Sequence, residues 1–146
     1  MSEKIKMEKL AKELFEVSQA AFDQQSPWKE EQFLTFLMEK HHHYFLLENE
    51  TGVIGFILLS VLFETAEIEL IGIRKDNQNQ HLGGELIRQA KELMKQLGAE
   101  TLLIEVRESN LQGIRFYQKE GFVEMSRRKN YYHHPKEDAL IWQLTL

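Results

Sequence analysis

One strand–helix–strand unit constrains this chain more than any other feature. Leu82, Leu86, Ala90, Leu93 and Leu97 step by four, four, three and four, the spacing of one apolar face of an α-helix, and Gly98 is placed to stop it. Ala66 to Ile73 before the helix and Thr101 to Val106 after it read as strands. Two strands joined by a crossover helix lie parallel, since a tight hairpin can only join antiparallel neighbours. The chain is therefore expected to contain one parallel pair.

The flanking segments add antiparallel strands and further helices. Residues from about Met7 to Phe22 place Leu10, Leu14, Val17 and Ala21 at helical spacing. Ser26-Pro27 is read as the start of a second helix, with Ser26 as N-cap and Pro27 at the first helical position. Glu30 and Glu31 suit the positive end of its dipole, and Phe33, Leu34, Phe36 and Leu37 supply its apolar side. Tyr44 to Glu48 and Val53 to Phe63 read as strands around a Thr51-Gly52 turn. Ser109-Asn110 can cap a short helix through Lys119, Gly121 ends it, and strands are expected at Phe122 to Lys129 and Ala139 to Leu144. The order ααβββαβαββ predicts an α+β protein: three layers, a mixed and mostly antiparallel sheet with helices on both faces.

Composition narrows the function. A chain of 146 residues with 42% hydrophobic and 28% charged residues is globular and sized for a single domain spanning 1–146. The absence of cysteine removes disulfides, thiolate nucleophiles and Cys-based metal sites. Adjacent His41, His42 and His43 would alternate across a strand, so no metal is expected from them. A formal net charge of −5 disfavours direct nucleic-acid binding and suits a basic protein or peptide partner. No apolar run is long enough for a membrane span, and the start lacks the apolar block of a signal peptide, so a cytoplasmic protein with no membrane partner is expected.

The loop Gln78-Asn79-Gln80-His81-Leu82-Gly83-Gly84 runs from a strand into the strong helix. A helix start offers free backbone N–H groups and a partial positive charge, and glycines let a ligand come close. That is a diphosphate site in principle, or simply a helix-starting turn. It matches neither the Walker pattern nor the dinucleotide fingerprint.

The stretch from Ala66 to Leu86, AEIELIGIRKDNQNQHLGGEL, resembles the acetyl-CoA motif of the GNAT superfamily, a strand followed by a Gln/Arg-x-x-Gly-x-Gly/Ala loop and a helix. Gln78 and Gly83 match that loop, while His81 stands where its first glycine normally sits. Ser26-Pro27-Trp28, the run Leu103 to Asn110 (LIEVRESN), Phe116-Tyr117 before Gly121-Phe122, and Arg127 to Tyr132 with Glu137-Asp138-Ala139 resemble the RimI-like branch. The resemblance covers about Phe22 to the C-terminus. It implies the GNAT acyl-CoA N-acyltransferase fold and acetyl-CoA as donor. It also implies direct transfer, in a ternary complex, to a protein N-terminal amine, the N-terminal alanine of a small-subunit ribosomal protein.

Residue by residue, the resemblance makes Glu105 the general base, with Glu67 as a rival or supporting carboxylate and Glu69 sharing its side of the strand. It makes Tyr117 the acid that reprotonates the departing thiolate and places it against the cofactor. Asn110 would hold the pantetheine arm. Backbone groups at Ile71, Gly72 and Ile73 would bind the pantetheine amide and the thioester carbonyl, and those of Gln78, Asn79, Gln80, His81, Leu82, Gly83 and Gly84 the diphosphate. Trp28, Tyr131 and Tyr132, expected in loops, are the acceptor-site aromatics. Each has a plain alternative: solvent-facing strand glutamates, aromatic packing, a helix cap. Two other functions stand beside the first, a GNAT enzyme for another amine (lysine, polyamine or aminoglycoside) and a non-catalytic acyl-CoA-binding domain.

Overall fold

The computed structural model describes residues 2–146. The elements in chain order are α1 (Glu3–Ala21), α2 (Glu30–Met38), β1 (His42–Asn49), β2 (Gly52–Leu62), β3 (Thr65–Ile73), a 3-10 turn (Lys75–Asn77), α3 (Leu82–Gln96), β4 (Thr101–Arg107), α4 (Leu111–Lys119), β5 (Val123–His133) and β6 (Lys136–Thr145). The expected order of helices and strands is reproduced. The six strands form one sheet in the order β1-β2-β3-β4-β6-β5. β3 and β4 pair in parallel, Thr65 opposite Thr101 through Ile68 opposite Ile104. The pairs β1/β2, β4/β6 and β5/β6 are antiparallel. This is the expected α+β arrangement, one mixed and mostly antiparallel sheet.

Both N-terminal helices begin away from their expected starts, for reasons of capping. α1 starts at Glu3 because the Ser2 hydroxyl accepts the Ile5 N–H at 3.2 Å. The expected N-cap Ser26 does not start α2. Its hydroxyl donates to the Trp28 carbonyl at 2.7 Å and meets the Ser18 hydroxyl at 2.6 Å, so it is committed to a tight turn. The helix begins three residues after Pro27, at Glu30, where the Gln32 side chain accepts the Lys29 N–H at 2.8 Å.

Contact density divides the chain into two units, residues Met1–Ser60 with Leu70–Ala90, and Val61–Glu69 with Lys91–Leu146. The first is organised around Leu14, Val17, Phe33, Phe56 and Leu58, which are fully or almost fully buried. Phe33 meets Phe56 edge to face at 5.8 Å. The second is organised by β4 and β6. Leu102, Ile104 and Val106 alternate inward on β4, and Leu140, Trp142 and Leu144 do so on β6. Each such side chain contributes about 1.5–3 kcal/mol on burial. The same period leaves Leu103, Glu105 and Arg107 together on the opposite, half-exposed face of β4. Among the described residues no helix is long and apolar enough to cross a membrane.

Candidate active site

The first unit carries the glycine loop. Gln78 donates its side-chain amide to the Ile73 carbonyl at 2.7 Å, which ties the loop to the end of β3. Asn79 and His81 both lie in the left-handed region, at φ 64° and 62°. The His81 carbonyl accepts the Glu85 N–H at 3.3 Å, so the helix takes its first bond from His81. Leu82, Gly83 and Gly84 then form the first turn of α3, where N–H groups have no acceptor within the helix. A loop that turns twice through left-handed residues into a helix of 15 residues suits an anionic diphosphate. His81 adopts the backbone that a glycine there would favour, and its side chain is exposed.

Glu85, also in that first turn, would oppose an anion if left alone. Arg88 pairs with it at 2.6 Å, and hydrogen bonds from Arg88 and Gln89 hold its carboxyl down at about 2. In β3, Gly72 serves packing. A Cβ there would stand 3.2 Å from the Phe56 ring. Ile71 and Ile73 on either side are half-buried. Trp28 packs against Phe33 and Phe36, with ring centroids 5.2 and 5.8 Å away, and is attached to the hydrophobic core.

The second unit carries the titratable cluster. Glu67 and Glu69 share one face of β3, and Glu105 lies on β4. Partial desolvation pushes the Glu67 carboxyl above its ordinary range, and the charge of Glu69, a hydrogen bond to Glu69 and the charge of Glu105 push the same way, against Arg128. Glu105 accepts a hydrogen bond from the Tyr132 hydroxyl at 3.3 Å. Burial, followed by the negative charge of Glu105, pushes the Tyr132 phenol up to about 12. Tyr117 on α4 is 6% exposed, set between Phe116 and Phe122 at 5.1 and 5.4 Å. Burial alone pushes its phenol up, so it remains protonated at neutral pH. Asn110 caps α4, its side-chain oxygen accepting the Gly113 N–H at 2.9 Å.

Tyr131 and Tyr132 lie in strand β5 and not in a loop as expected, because β5 runs on to His133. Tyr131 is 46% exposed and meets Tyr132 edge to face at 5.2 Å. Sequence reasoning gave no role to Arg107, Asn130, Glu137 or Asp138, which surround these tyrosines. The available signal was an acidic pair, Glu137-Asp138, set across a hairpin from the basic run Arg127-Arg128-Lys129. Among the described residues no group of His, Cys, Asp and Glu is arranged to hold a metal ion.

The acetyltransferase (GNAT) family model matches residues 7–122. A protein of Bacillus subtilis (strain 168) is 34% identical over 134 residues, 91% of this chain and 87% of its own. The [ribosomal protein bS18]-alanine N-acetyltransferase of Escherichia coli (strain K12) is 32% identical over 122 residues, 82% of each chain. The crystal structure of the ribosomal-protein-S18-alanine N-acetyltransferase from Escherichia coli superposes with a TM-score of 0.82 at 29% identity, over 92% of this chain and 86% of that one.

Proposed function

The chain belongs to the GNAT acetyltransferase family and is an acetyl-CoA-dependent N-acetyltransferase, and we propose that its acceptor is the N-terminal alanine of ribosomal protein bS18 in the cytoplasm. The observation that carries this reading is the similarity to the bS18-alanine enzyme along 82% of both chains. The cluster of Glu67, Glu69 and Glu105 is the chemistry an α-ammonium acceptor needs: negative charge to attract it and a carboxylate to take its proton.

In this reading, backbone N–H groups of the loop Gln78 to Gly84 hold the diphosphate, with Gln80 among them, and those of Ile71 to Ile73 hold the pantetheine arm. Glu105 takes the proton from the acceptor amine, Glu67 supports it, and Asn110 steadies the arm. An α-amino group has a pKa near 8, so about a tenth is already neutral at pH 7 and the base has modest work. A lysine acceptor, near 10.4, would ask far more of it. The amine nitrogen attacks the thioester carbonyl directly, the carbon–sulfur bond breaks, and the Tyr117 hydroxyl protonates the sulfur. A phenol is protonated at neutral pH even at its ordinary pKa near 10; burial raises Tyr117 further and makes it the weaker acid, so the transfer depends on a thiolate forming beside it.

Thiol release with a peptide copying the bS18 N-terminus, beside the same peptide with a blocked N-terminus, tests the acceptor. Turnover of the free peptide alone is expected. Equal turnover of a peptide bearing only a lysine amine would reject it. Glu105→Gln should lower kcat by about 10²–10⁴-fold, the usual contribution of a general base.

A further inference from the structure

Tyr132 reaches Glu105 through a deliberate irregularity in the β5–β6 hairpin. Arg128 stands opposite Ala139, and Tyr132 opposite Glu137, so four steps on β5 match two on β6. Continued without the shift, the register would place Asn130 opposite Glu137. The extra residues form a bulge, with Asn130 left-handed at φ 54°. Asp138 holds the bulge from across the hairpin. One carboxylate oxygen accepts the Asn130 N–H at 2.8 Å, and the other pairs with Arg127 at 3.0 Å.

The displaced tyrosine is then clamped. The Arg107 guanidinium lies over its ring, 3.9 Å from the centroid. Arg107 is itself fixed by Glu137 at 3.1 Å, and the other Glu137 oxygen accepts the Ser109 N–H at 2.9 Å. A planar guanidinium can stack and pair at once, which a lysine ammonium cannot do. A chain of contacts thus runs from Ser109 through Glu137, Arg107 and Tyr132 to the Glu105 carboxylate. At 3.3 Å the last link is long for an O–H···O bond, so it orients the carboxylate without saturating it.

We infer that Arg107 is a positioning residue for the base: by stacking on Tyr132 it holds the phenol that sets the orientation of Glu105 for proton transfer. The inference rests on the reading of Glu105 as the base. Glu105 carries a long side chain with several rotamers, and misplacing a catalytic group by about 1 Å can cost on the order of 100-fold in rate. In this role Arg107 acts through Tyr132, the residue it stacks on.

The test is a double-mutant cycle on the full chain, with the alanine-initiated peptide and acetyl-CoA. Arg107→Ala and Tyr132→Phe should each lower kcat about 10-fold or more, leaving KM for acetyl-CoA unchanged. Combined, they should be no worse than the poorer single variant, because both cut one chain of contacts. Arg107→Lys, which can pair but not stack, should fall between wild type and Arg107→Ala.

Multiplicative losses in the double variant, or a raised KM for acetyl-CoA with kcat unchanged, would overturn the inference. If Arg107→Ala does not fold, Tyr132→Phe decides: it keeps the ring, and wild-type kcat would be equally fatal. Glu105→Gln separates the two readings. If it turns over at the wild-type rate, Glu105 is not the base; if it is slow while the cycle is multiplicative, only the role of Arg107 fails.

Discussion

Replacing His81 by glycine isolates the backbone of the cofactor loop. The His81 side chain is exposed, so its removal loses little packing. Its φ of 62° is left-handed, where an L-residue pays about 1–2 kcal/mol that glycine does not. Against this gain stands the freedom glycine adds to the unfolded chain, roughly 0.5–1 kcal/mol. The net expectation is a stabilisation of about 0.5–1 kcal/mol. Unfolding entropy near 2.1 cal/mol/K per residue over 146 residues gives about 3 °C per kcal/mol, so Tm should rise by about 2–3 °C. His81→Ala is the control. It keeps the Cβ and the strain, and should show no rise. Differential scanning calorimetry reads both, and a thermal-shift titration with CoA reports whether the loop still binds. Equal stabilisation by alanine and glycine, or a loss with glycine, would refute the argument from φ. A loss with glycine would mean that the imidazole itself holds the loop.

Three further outcomes are expected. Gly72→Ala should destabilise by about 1–3 kcal/mol, measured by urea unfolding, because its Cβ would crowd the Phe56 ring at 3.2 Å; a neutral result would mean that this core yields without strain. Tyr117→Phe should keep Tm within a few degrees, the ring still filling the space between Phe116 and Phe122, while kcat falls by roughly 10²-fold; wild-type turnover would remove the acid role. Acid should loosen the β5–β6 hairpin, since backbone N–H groups of Ser109 and Asn130 hold the Glu137 and Asp138 carboxyls below their ordinary 4.5 and 3.8. Groups lowered in the folded state bind protons more readily when unfolded, so their stabilisation is complete above those ordinary values and is lost as pH falls below them. Glu67, raised, works in the opposite sense. Tm measured from roughly pH 5 to pH 3 should fall less steeply in Asp138→Asn than in wild type, and parallel slopes would count against the hairpin.

What lay within reach of the sequence was set by local periodicity and by short-range caps. The stepped leucines fixed the helix that became Leu82–Gln96, and period-2 alternation marked β4. Asn110 caps α4 as its position before the helix suggested. The parallel pairing of β3 with β4 followed from the crossover between them. The motif residues also pointed to the acetyl-CoA chemistry that the family match bears out. Tertiary structure decided the rest. Ser26 had two competing uses for one hydroxyl, and contact with Ser18, eight residues earlier, went with the turn and not with the helix cap. Trp28 could grip a peptide or fill a core, and its half-buried ring packs on Phe33 and Phe36. The bulge at Asn130 depends on a carboxylate eight residues away, and it determines which tyrosine meets Glu105. The stack of Arg107 on Tyr132 joins residues 25 apart. Helical period and capping are properties of neighbours along the chain, whereas register, bulges and charge clusters depend on which strands meet, and that is settled only when the whole sheet closes on its partners.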